Sequence, residues 1–95
     1  MSQNQELFDI EQEVNGIQVD LQSNTSTILL KPLEMEKKII DYLSNLTEIE
    51  RKILFFKKSN PNLDSSKYER INGIENKILI LKNQIELNQK MLKKM

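Results

Sequence analysis

Two carboxylate pairs, Glu34 with Glu36 and Glu48 with Glu50, are the groups in this chain that most invite a chemical reading, because paired acids can divide general-acid and general-base work. Both pairs have i,i+2 spacing. On a helix that spacing turns the two carboxylates to different faces, so neither pair converges on one substrate atom, and both are read as solvated surface acids. The other usual agents are missing. The chain has no His and no Cys, which removes the commonest general base, the commonest metal ligand and the thiol nucleophile. Gly16 and Gly73 stand alone, outside any Gly-rich spacing that cradles phosphate. The expectation is a non-enzyme with no catalytic residue, no metal, no cofactor and no small-molecule substrate.

Basic and aromatic clusters receive the same test. A zipper-type nucleic-acid reader needs a dense basic run feeding its heptads, whereas LDSSKYER offers only Lys67 and Arg70 before the stripe. The tail KMLKKM complements the negative end of a helix dipole, as do Lys57 and Lys58. Phe55, Phe56 and Leu92 beside lysines would suit a membrane surface, but core edge and helix-end charge explain them as well. Neither nucleic acid nor membrane is an expected partner.

What remains is apolar periodicity. Leu7, Ile10, Val14, Ile17 and Leu21 recur at spacings of 3 and 4 over residues 4–22, which predicts a helix with one narrow seam. Gly16 and the β-branched residues lower its propensity, so it is expected to be the least stable element and dispensable to the rest. A polar break is expected at residues 23–27, SNTST. A second helix, about 32–58, starts where Pro32 suits a first helical position, with Leu30 and Met35 placed to staple its entry. Its stripe is Met35, Ile39, Tyr42, Leu46, Ile49, Ile53 and Phe56, and beside it lie Leu33, Ile40, Leu43 and Leu54.

SNPNLDSS, residues 59–66, is the clearest turn, expected at about 59–65, with Ser66 and Glu69 as a capping box or Asn60 as an earlier cap. The third helix, about 66–94, places Ile71, Ile78, Ile85 and Leu92 on one heptad position and Ile74, Leu81, Asn88 and Met95 on the other. Ile80, Leu87 and Met91 form a second stripe. Asn88 is the one polar group in that seam, either fixing register or simply hydrated where the last two turns fray; Asn24 could prolong the first seam in the same way.

These patterns predict an all-α chain: an N-terminal acidic amphipathic helix and polar linker over 1–30, then a long antiparallel helical hairpin over 31–95 with coiled-coil-like packing. The short turn makes the two long helices neighbours. Each carries about twice the apolar width that one hairpin contact hides, and helix three is expected to outrun helix two. At 95 residues a lone core is near the marginal size. The seam residues are therefore assigned to packing on other helices, and the chain is expected to be a coiled-coil structural or assembly subunit, in a homo-oligomer or a complex of helical chains. The alternative is a small helical adaptor, chaperone or inhibitor, for example phage-encoded, that binds one target by helix-in-groove contact.

Charge and composition add orientation and setting. Residues 1–30 carry five acids and no base, while 64–95 carry seven bases and four acids, so the first segment can lie along the last in the same molecule or a neighbour. The bias toward Lys, Asn and Ile suits an AT-rich genome. With no basic start to a signal or transit peptide, an intracellular, cytoplasmic protein is expected.

Overall fold

A computed structural model describes residues 3–25 and 32–94, and these form three helices: α1, Gln3–Thr25; α2, Pro32–Ser59; and α3, Ser65–Lys93. Among the described residues there is no strand. Each helix packs against both of the others, giving a rod of 49 × 19 × 17 Å. Cross-helix polar contacts define the directions. Gln3 Nε2 donates to Asn60 Oδ1 at 2.6 Å, Lys52 pairs with Glu13 at 2.7 Å and Tyr42 Oη donates to Asp20, so α1 and α2 run antiparallel. Lys57 with Glu75 at 2.9 Å and Lys82 with Glu50 at 2.6 Å give the same sense to α2 and α3. Arg70 donates to Glu11 and Lys77 to Asn15, which sets α1 parallel to α3.

The 3-and-4 spacing explains why these segments bury as they do. At about 100° per residue it stacks the apolar side chains of each helix on one side, and three such seams meet on a common axis. Every expected seam residue of α1 is buried, as are the seven residues of the main α2 stripe and Ile71, Ile74, Ile78, Leu81 and Ile85 of α3. Leu43 and Leu92 are partly buried against this core. Tyr42 belongs to it by its ring and reaches the rim by its hydroxyl, so the phenol has a partner in Asp20.

Three expectations change. α1 is one wall of the core and not an appendage to a hairpin, because a narrow seam suffices when it faces two neighbours at once. It also continues through residues 23–25, where a polar break is expected. Helix three outruns helix two by one residue only, 29 against 28. The connection is shorter than expected, and its chemistry differs. Asp64, not Ser66, caps α3: its Oδ1 accepts from the Lys67 backbone N–H at 2.9 Å and from the Ser66 hydroxyl at 2.8 Å. Asn60 follows α2 instead of opening α3, its backbone N–H and Nδ2 both donating to the Phe56 carbonyl. Leu63, unassigned from the sequence, turns inward and closes that end of the core. The staple residue Leu30, the end of the expected linker and Met95 lie outside the described residues.

The cap carries a pH prediction. The Lys67 N–H, then the Ser66 hydroxyl, hold the Asp64 carboxyl below its ordinary value of 3.8. A carboxylate favoured in the folded state adds stability that is complete above that value and lost as pH falls through the lower folded one. Asp64→Asn should lower the melting temperature at pH 7 and narrow its gap to the parent below pH 3.8, as read by paired thermal melts; an equal gap at both pH values would remove this role.

Gly73 supplies a second prediction. It sits inside α3 at a negative φ, and a methyl group built there meets no atom within 4 Å. Gly73→Ala should therefore stabilise the fold by about 1 kcal/mol, the helix-propensity difference, in urea unfolding.

Candidate interaction surface

The structure brings the expected seam together inside one chain. Leu7, Ile10, Val14, Ile17 and Leu21 of α1 meet Ile39, Leu46, Ile49, Ile53 and Phe56 of α2 and Ile71, Ile74, Ile78, Leu81 and Ile85 of α3 in a single cluster, with Leu92 at its edge. Asn88 is in line with them and 8% exposed. No side-chain nitrogen or oxygen among the described residues is fully buried without a partner, so the Asn88 amide keeps contact with solvent at the end of the bundle. The side chain of Asn24 lies outside the described residues.

With the seam enclosed, the surface that can meet another molecule is built from the flanking positions. On α2, Leu33, Ile40 and Leu54 are 75%, 64% and 57% exposed. They share one heptad position with Thr47, whose hydroxyl donates to the Leu43 carbonyl at 2.9 Å. Leu54 and Leu79 line a shallow groove between α2 and α3, rimmed by the Glu50–Lys82 and Lys57–Glu75 pairs. On α3, Ile80 and Leu87, seven residues apart, and Met91 are each more than half exposed. These are the second stripes legible in the sequence. Phe55, 73% exposed on the α1 side of α2, and Leu79, in the α2–α3 groove, were not singled out by spacing.

The groove between α1 and α2 differs in charge. Glu6, Asp9, Glu13, Asp20 and Glu48 line its two adjoining hollows, against the cations Arg51 and Lys52. Arg51 lies 3.6 Å from Glu48 and Lys52 lies 2.7 Å from Glu13. Glu6, Asp9 and Asp20 take part in no ion pair among the described residues. Gly16 lies at the groove with nothing within 4 Å of where its Cβ would stand, and Phe55 with Phe56 forms an apolar wall at the other end. The carboxylates flanking the α1 seam were visible as an acidic segment. Their gathering along one groove depends on which helix lies beside α1, and no local signal states that.

Glu34 and Glu36 lie near the start of α2, with Glu36 on its α3 side, and Glu48 and Glu50 lie near its middle, where Glu48 lines the α1 side and Glu50 the α3 side. Among the described residues no group of three or more acidic side chains is arranged to hold a metal ion, and no helix is long and apolar enough to cross a membrane. No protein-family model matches the chain, and no curated protein or solved structure matches it either. Function has to be read from the surface itself.

Proposed function

We propose that this chain is a non-enzymatic structural subunit that joins other helical chains, copies of itself included, through the apolar side chains left outside its own bundle. One observation carries the reading. After the core closes, Leu33, Ile40 and Leu54 on α2 and Ile80, Leu87 and Met91 on α3 remain more than half exposed and recur along their helices. Single exposed apolar residues are ordinary on a soluble surface, but repeated ones along a helix face mark a contact. An exposed stripe of this kind is the pattern by which one helix packs on another.

The test replaces Ile40, Leu54, Ile80 and Leu87 together by Gln and compares the variant with the parent by light scattering and far-UV circular dichroism. The parent should show a mass above that of one chain, and the variant should fall to a monomer of unchanged helicity. A parent that is monomeric at every concentration and binds no helical chain would end this reading.

A second reading is favoured by a different observation, the enclosure of the whole seam within one chain. A self-sufficient bundle can act as a small adaptor or inhibitor that offers its α1–α2 groove to a helix of one target. A stable monomer that captures a single target, and needs Glu6, Asp9 and Glu48 to do so, would support it.

A further inference from the structure

The acidic groove and the outer stripe of α3 lie on opposite sides of the molecule, because α3 packs against both α1 and α2 and its outward side faces away from the channel between them. Their properties are complementary. The groove is lined by five carboxylates against two cations and has an apolar wall at Phe55. The stripe presents Ile80, Leu87 and Met91, and the end of α3 carries Lys90 and Lys93 with Lys94 as its cap; among the described residues only Lys90 of these three has an ion pair, to Glu86 at 3.8 Å. We propose that the C-terminal half of α3 of one copy lies in the α1–α2 groove of a second copy.

Several features favour this occupant. The groove needs a helix that is apolar along one line and basic beside it, and the chain itself carries one that is exposed and otherwise uncovered. Like charges oppose the competing arrangements: groove against groove sets carboxylates together, and stripe against stripe does the same with lysines. Since the two surfaces differ and point apart, the contact is heterologous, and each added copy presents a fresh groove at one side and a fresh stripe at the other. Such a contact propagates as an open-ended stack unless its rotation closes a ring.

This inference rests on the assembly reading above and narrows it to one pair of surfaces. The test uses two variants of the full chain: Asp9→Lys with Glu48→Lys to spoil the groove, and Ile80→Gln with Leu87→Gln to spoil the stripe. All four positions are exposed, so far-UV circular dichroism should match the parent. The parent should grow beyond dimer as concentration rises. Each variant alone should remain near 11.2 kDa in sedimentation velocity, and an equimolar mixture should reach twice that mass and stop, because only one good groove and one good stripe are then available per pair. Assembly of either variant alone to the parent's extent, or a mixture that stays monomeric while the parent assembles, would overturn this pairing and leave the broader reading standing. A parent that never assembles would overturn the pairing and, with it, self-assembly.

Discussion

Ile78→Asp should abolish the cooperative thermal transition of this protein. Ile78 lies in the middle of α3, is 3% exposed, and is surrounded by the core shared by all three helices. The substitution removes about 1.5–3 kcal/mol of apolar burial and sets an unpaired carboxylate among isoleucines and leucines, a further cost of several kcal/mol whether the group stays charged or takes up a proton. A domain of this size has roughly 5–15 kcal/mol to lose, and changes above about 4–5 kcal/mol are reserved for events of this type. Circular dichroism against temperature checks it. A melting curve that matched the parent would show that Ile78 is not in the interior.

Deleting residues 1–22 should have a comparable effect, and this is where structure and sequence part most clearly. The narrow seam and weak propensity of the first segment suggest an element whose loss would leave a hairpin standing. In the structure, all five of its seam residues are buried. Their loss would expose the inner sides of α2 and α3 along most of their length and remove the partners of Lys52, Tyr42 and Arg70. The truncated chain should be non-cooperative or aggregated on heating and in urea. A truncation that kept a sharp transition and its share of helix would restore the hairpin as an independent unit.

The sequence was legible wherever a local rule sufficed. Seven-residue repeats placed Leu46, Ile71 and Ile85 in the interior, and Pro32 and the SNPN stretch bounded α2 at both ends, because helix period and turn chemistry act over a few residues. Leu63 escaped notice since a lone apolar residue in a turn has no period to report it. The cap moved from Ser66 to Asp64 by a choice between near-equivalent oxygens two residues apart, which backbone geometry alone settles. The surplus apolar width was the least transparent quantity. Leu33, Ile40 and Leu54 do stay outside the core, but the covering of the main stripe belongs to α1, whose position beside both long helices is a long-range fact. The acidic groove was hidden for the same reason, as its members come from two helices that only the folded topology sets side by side.

A bundle that closes its own core and still carries apolar stripes outside should be a folded monomer when dilute and an assembly when concentrated, and small-angle X-ray scattering over a dilution series tests both together. At the dilute limit the chain should scatter as a folded monomeric rod, with a radius of gyration close to the 15.2 Å of its Cα trace, and the apparent mass should climb as concentration rises. An expanded, unfolded profile at low concentration would show that the seam needs another chain to close it. A constant monomeric mass throughout would show that the exposed stripes do not join copies of this protein.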